Sequence, residues 1–125
     1  MLRSTSRGWG FALTLASTAR VATERPTLYL RLLCEHFADE RQRHSAQQFD
    51  VAFDGHEGFI DFAPVMGGNC RLDARQGGVL VIEARASDQA VLARLQRVLT
   101  KHLKRFGRSD DLTVEWRSDS GPSPD

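Results

Sequence analysis

The fold is decided by the stretch VLTKHLKRFG, residues 98–107, together with the segment LTVEW at residues 112–116. The first has the pattern of the last turns of an amphipathic helix, because its apolar residues recur at helical spacing. His102 lies inside that apolar stripe, and Gly107 supplies a helix stop. The second alternates large apolar residues with polar ones, which predicts a closing strand.

An earlier helix has the same arrangement. Apolar residues recur at helical spacing between residues 28 and 37, and His36 lies among them. Pro26 fits the first turn of this helix, where a missing N–H costs nothing. The polar segment at residues 41–48 has no periodicity and predicts a loop. If the two helices are neighbours, the imidazoles of His36 and His102 can approach each other.

Short alternating segments predict six strands around the two helices. One strand precedes the first helix at residues 17–23, and Ser87 is the predicted N-cap of the second helix. The resulting order, β-α-β-β-β-β-α-β, predicts an α+β fold with two helices packed on one face of a mostly antiparallel six-stranded sheet. The four strands between the helices are residues 49–53, 59–62, 70–75 and 79–85, of which the last is the most apolar and should be central.

The length of 125 residues fits one domain, which we place at residues 17–117. Residues 1–16 are predicted to be a disordered N-terminal extension. Residues 118–125 hold two prolines, one glycine and three serines, and are predicted to be a disordered tail.

The charge balance and the cysteines exclude several classes of protein. Seventeen Lys and Arg against sixteen Asp and Glu argue against a nucleic-acid binder, which usually has a strong basic excess. No apolar run approaches the ~20 residues of a membrane span. Cys34 and Cys70 have neither the spacing of a disulfide framework nor that of a zinc site. We expect two reduced, buried thiols and a cytoplasmic protein.

Two histidines and a cysteine are the sharpest candidates for chemistry. An imidazole titrates near neutral pH and ligates metals, and Cys70 points inward from its strand as a third ligand. His36, His102 and Cys70 would then form a zinc or iron site. Alternatively, each ring packs in the core and satisfies one nitrogen on a backbone carbonyl or a nearby acid. Cys34 lies late in a helix, where the dipole opposes a thiolate and hence thiol catalysis.

Charged residues of the strands offer a second candidate surface. Arg71, Arg75 and Arg85 lie on adjacent strands, and they form a basic surface for an anionic ligand if the helices cover only the other face. The alternative is ordinary pairing with carboxylates on neighbouring strands. Four more carboxylates cluster around one hairpin, either as a solvated face or as acid–base groups and hard-cation ligands: Asp50, Asp54, Glu57 and Asp61.

The chain resembles a bacterial family catalogued as domain of unknown function 2218. The resemblance covers roughly residues 17–117 and keeps the order of its pieces throughout. It implies a small bacterial protein that is linked with siderophore-interacting flavin reductases, and hence with iron handling. The matching pieces are Ala19-Arg20-Val21-Ala22-Thr23, Tyr29-Leu30 with Leu33-Cys34-Glu35-His36-Phe37, Gly58 with Ile60-Asp61-Phe62, Cys70 with Leu72, His102-Leu103 with Arg105-Phe106, and Leu112-Thr113-Val114-Glu115-Trp116.

Two functions remain open from the sequence. The first is a non-catalytic binding or accessory module that forms a homodimer through its open sheet face, with a siderophore-interacting flavin reductase as a partner. The second is a small metal-binding protein or enzyme that uses His36, His102 and Cys70. No nucleic-acid or membrane partner is expected.

Overall fold

The computed structural model describes residues 15–43, 50–62 and 67–118. The predicted extension at residues 1–14, the loop at 44–48 and the tail at 119–125 lie outside the described residues. Within them the elements follow the predicted order. They are β1 (Leu15–Ala22), α1 (Pro26–Arg43), β2 (Asp50–Phe53), β3 (Glu57–Asp61), β4 (Asn69–Asp73), β5 (Val79–Ala86), α2 (Gln89–Phe106), a 3-10 turn (Arg108–Asp110) and β6 (Trp116–Ser118).

The strands form one six-stranded sheet in the order β2-β3-β4-β5-β1-β6. Every pair of neighbours is antiparallel. β5 lies between β4 and β1, as its apolar composition predicts. Its register with β1 sets Ile82 opposite Ala19 and Leu80 opposite Val21, all four buried.

Both helices lie on one face of this sheet, which confirms the predicted α+β architecture. α1 contacts β2, β3 and β5, and α2 contacts β5 and β1. We call the helix-bearing side the covered face and the other side the open face. No helix in the described part of the chain is long and apolar enough to cross a membrane. The buried face of α2 consists of Leu92, Leu95, Leu99 and Leu103.

Two element boundaries differ from the sequence prediction. Leu15 and Ala16, assigned above to the N-terminal extension, are the first residues of β1 and pair with Ala86 and Arg85. α1 continues through Arg43, so the predicted loop begins too early. Apolar periodicity marks only the part of a helix that packs on the core, and a polar final turn leaves no such signal.

The caps of α2 also differ in detail. Asp88, not Ser87, is the N-cap, because its carboxylate accepts the N–H of Val91 at 2.8 Å. Gly107 ends the helix as predicted, yet its φ is −100°, outside the left-handed region. A glycine is needed there because a Cβ would lie 2.4 Å from the side chain of Leu112. Close packing therefore selects this glycine.

The last strand is shorter and later than predicted. It pairs with β1 only over Trp116–Ser118, so Ser118 belongs to the sheet and not to the tail. The preceding residues 112–115 make no ladder, although Leu112 is buried. An alternating apolar pattern indicates that every second side chain is buried, and it does not by itself require strand pairing. Residues 112–115 have this pattern without forming a strand.

The segment after α2 is tied to the start of α1. Asp110 accepts a hydrogen bond from the Tyr29 hydroxyl and forms an ion pair with Arg25 at 3.2 Å. Burial and this hydrogen bond raise the pKa of Tyr29 above its ordinary value. The contact joins the first turn of α1 to the segment that follows α2, which lies 81 residues later in the sequence.

Candidate functional site

The two predicted histidines meet where α1 and α2 cross the sheet. The ring centroids of His36 and His102 lie 4.4 Å apart, with their planes inclined at 43°. Both side chains are half-buried. Nδ1 of His102 lies 2.9 Å from the carbonyl oxygen of Val98 and therefore donates to it. In the neutral ring Nε2 is then left as the acceptor or ligand atom.

Phenylalanines enclose this pair. Phe37 lies 5.1 Å from the ring of His36 and 5.3 Å from that of His102, in both cases edge to face. Phe106 lies 5.8 Å from His36 and 6.3 Å from His102. Phe37 in turn stands edge to face on Phe62 of the core. The imidazoles thus extend an aromatic cluster, and such contacts favour packing of the helices on each other.

Cys70 does not join the histidines. No group of three or more His, Cys, Asp or Glu side chains within residues 15–43, 50–62 and 67–118 is arranged to hold a metal ion. The predicted set is therefore only partly assembled, because the inward face of β4 carries Cys70 to a different part of the core. Whether the histidine pair alone binds metal stays a prediction.

Both thiols are buried and free. Burial raises the pKa of Cys34 to about 12, and it raises the pKa of Cys70 as well. Each thiol therefore stays protonated near neutral pH. Because the thiolate is the nucleophile and the metal ligand, protonation disfavours both roles. Buried, unpaired thiols agree with the sequence-based expectation for both residues.

The open face carries the predicted carboxylate cluster at its β2–β3 end. Asp50 and Asp61 are directly opposite each other in the ladder. The carboxylate of Asp54 accepts the backbone N–H groups of His56 and Glu57 at 2.8 and 2.9 Å. These bonds hold the pKa of Asp54 below its usual value. Asp54 therefore stabilises the β2–β3 turn.

Two of the three predicted arginines are paired with carboxylates. Arg75 contacts Asp73 and Glu57, each at 2.8 Å, and Arg85 contacts Glu83 at 3.1 Å. Of these pairs, only that of Arg75 with Glu57 of β3 joins neighbouring strands, as that alternative predicts, whereas Asp73 and Glu83 each lie two residues before the arginine that they contact. Arg71 makes no ion pair with any other described residue. The three arginines do not form a continuous basic surface.

Arg71 is also part of a shallow groove of 690 Å³ on the open face. Phe59 supplies its apolar surface, and four carboxylates supply most of its charge. Phe53 lies at the edge of the groove, because its position opposite Gly58 directs its side chain to the covered face beside α1. Phe53, which is 40% exposed at the end of β2, was not predicted as a site residue. Its signal was an aromatic residue at the end of an edge strand, where no neighbouring strand covers it. The carboxylates are those of Asp54, Glu57, Asp73 and Glu83.

The model of the DUF2218 family, uncharacterised proteins conserved in bacteria, matches residues 18–117. The chain therefore belongs to this family. A similar solved structure is the NMR structure of PA4090 from Pseudomonas aeruginosa, with 30% sequence identity and a TM-score of 0.63. The match covers 82% of this chain and 95% of that one, so the two share the fold over nearly the whole relative. Comparison with curated proteins yields no match.

Proposed function

We propose that this domain is a non-catalytic binding module whose open face pairs with a second copy of the chain. The observation that carries the proposal is the separation of charge across that face. The β2–β3 end holds the carboxylates of Asp50, Asp54, Glu57 and Asp61, of which Glu57 is paired with Arg75. The β1–β6 end holds Arg20 and Arg117, with Glu115 beside them in the same depression.

A twofold axis parallel to the strands makes these two ends complementary. Two open faces stacked about such an axis set the β2–β3 end of one copy over the β1–β6 end of the other. Stacked sheets lie ~10 Å apart, a distance that long arginine side chains span. The acidic groove beside Phe53 has room for Arg20 or Arg117 of the partner copy. The same contact then forms twice in each dimer.

The chemistry of the thiols supports a binding role over thiol catalysis. Cys34 and Cys70 lie in the core with raised pKa values, which suits packing better than reactivity. Their unpaired state also supports the predicted cytoplasmic location. A siderophore-interacting flavin reductase as partner stays a prediction from the family resemblance.

Analytical ultracentrifugation of charge-reversed variants tests the dimer. One variant carries Asp50→Lys and Glu57→Lys, and a second carries Arg20→Glu and Arg117→Glu. We expect a native dimer, a monomer for each variant alone, and a heterodimer when the two are mixed, because the mixture restores opposite charges. Arg31→Glu on α1 is the matched control and leaves the native dimer unchanged.

Three results contradict the proposal. They are a native protein that stays monomeric at all concentrations, variants that dimerise like the native chain, and a mixture of the two variants that stays monomeric. Circular dichroism of each variant shows that the fold is intact.

A metal-binding protein is the second candidate, and the approach of His36 and His102 to 4.4 Å favours it. Elemental analysis of protein purified without a His tag is the direct measurement. Stoichiometric zinc or iron that disappears in the His36→Ala/His102→Ala variant supports this candidate. Metal-free native protein that also gives no heat on titration with zinc chloride rules it out.

A further inference from the structure

The exposed side of α2 carries only positive charge. Its 18 residues include five cations and no Asp or Glu. At 100° per residue the five fall within an arc of about 100°, so they share one side of the helix. All five are exposed, while the leucines of the opposite side are buried. We call these residues the basic helix face: Arg94, Arg97, Lys101, Lys104 and Arg105.

This charge is not compensated within the described part of the chain. None of the five cations forms an ion pair or a side-chain hydrogen bond with another described residue. The whole chain has a net charge of +1, so all residues outside α2 together carry a net charge of −4. The helix is therefore strongly positive, whereas the rest of the chain has a net negative charge.

An aromatic side chain borders the basic helix face. Trp116 of β6 is half-buried, and its indole N–H donates to the Thr100 hydroxyl at 2.8 Å. This bond fixes the ring beside α2. Together with Gln96, Arg97 and Lys101 it forms a shallow depression of 510 Å³. An orientated aromatic ring flanked by cations is a typical anchor point in protein interfaces.

We propose that the basic helix face and Trp116 form a docking site for an acidic segment of another protein. Carboxylates of that segment contact the cations of α2, and one apolar side chain lies in the depression between Arg97 and Lys101. Charge complementarity requires that the partner segment is negatively charged. The exposed part of the Trp116 ring favours an apolar residue within the acidic segment.

Two other polyanions fit the domain less well. A nucleic acid extends beyond one helix and meets the net negative charge on the rest of the chain, which repels it. An anionic membrane binds amphipathic helices that insert an apolar side, and the leucines of α2 are already buried against the sheet. A short acidic protein segment needs only the helix and the adjoining ring.

Fluorescence anisotropy with the full chain tests this site. The probe is a labelled glutamate-rich peptide with one central leucine, and a second peptide has serine in place of that leucine. We expect saturable, salt-sensitive binding of the first peptide and weaker binding of the second. Arg97→Glu combined with Lys101→Glu should weaken binding by about tenfold or more. Arg31→Glu, a reversal at an exposed cation of α1, should leave the affinity unchanged.

The emission of Trp116 gives a second readout. In a Trp9→Phe background Trp116 is the only tryptophan, and its spectrum should shift when the leucine peptide binds. The proposal is overturned if the peptide does not bind, if α2 reversal leaves its affinity unchanged, or if Trp116 emission is unaffected by bound peptide. Tighter binding of single-stranded DNA or of phosphatidylserine vesicles than of the peptide overturns it as well.

Discussion

The two faces of the sheet are built from the same strands and do different work. On β5, Leu80, Ile82, Ala84 and Ala86 face the helices and are buried, while the residues between them face outward. Because side chains alternate along a strand, neighbouring residues belong to different environments. The covered face supplies stability through burial. The open face is free to vary in charge, and so it is where recognition can be encoded.

Polar groups are treated differently on the two faces. The hydroxyl of Ser17, buried under α2, donates to the Arg117 carbonyl at 3.0 Å and accepts from Gln96 at 2.9 Å. Within the described residues no buried side-chain nitrogen or oxygen lacks a hydrogen-bond partner. The ion pairs of the open face are exposed, and such pairs contribute little to stability.

The largest contrast is expected between adjacent residues of β5. Ile82→Ala removes a fully buried side chain from the covered face and should lower the free energy of unfolding by about 2–5 kcal/mol. Val81→Ala, the matched change on the open face, should cost less than about 1 kcal/mol. Urea denaturation of the monomer, at a protein concentration too low for the proposed dimer, measures both. Similar losses for the two variants in the monomer would contradict the difference between the two faces.

A glycine next to the covered face should give the second largest effect. Gly68 has a φ of +80°, and a Cβ there would lie 2.5 Å from the carbonyl oxygen of Arg85. Gly68→Ala should destabilise the fold by about 1–3 kcal/mol, since both the backbone and its neighbour must shift. Gly77→Ala, with nothing within 4 Å of the added methyl group, is the control. Thermal unfolding in which the two variants melt together would contradict this account.

The hydrogen bond at the end of the helix layer should give an intermediate effect. Tyr29→Phe removes the donor to Asp110 and should cost about 1–3 kcal/mol at neutral pH. The pKa of Tyr29 is raised in the folded state, so its contribution is complete below the ordinary value of 10.0 and is lost as pH rises further. Unfolding measured from pH 8 to pH 11 should therefore show a steeper loss for the native chain than for Tyr29→Phe. If the stability of both proteins depended on pH in the same way, Tyr29 would not be the group whose pKa is raised by folding.

The smallest effect is expected for the ion pairs of the open face. Arg75→Ala removes the surface contacts of Arg75 with Asp73 and Glu57. The free energy of unfolding of this variant should equal that of the native chain within experimental error. Hydrogen bonds from Arg75 lower the pKa of Asp73, so the variant should return that pKa towards its ordinary value. NMR titration of the carboxyl group measures this shift. A clear loss of stability of the monomer at neutral pH would contradict the small contribution expected of exposed ion pairs.

Much of the fold could be predicted from local patterns. The order of elements, the central position of β5 and the stripe of α2 follow from apolar periodicity and turn residues. The predicted boundaries of the elements were less accurate where a residue is buried without forming strand hydrogen bonds. Leu112 is such a residue, because it is buried but does not belong to a strand. The final turn of α1 was missed because it has no apolar side to signal it.

The candidate sites could be predicted only in part. The sequence alone determined that His36 and His102 lie on the apolar sides of two helices, because helical spacing is a local property. Their approach to 4.4 Å, and the exclusion of Cys70 from them, depend on how α1 and α2 pack on the sheet. The lack of acidic residues in α2 was visible in the sequence. Only the tertiary structure decided that these cations lack ion-pair partners among the described residues and that Trp116 lies beside them. Both depend on how α2 and β6 pack at the edge of the sheet, which helical spacing does not determine.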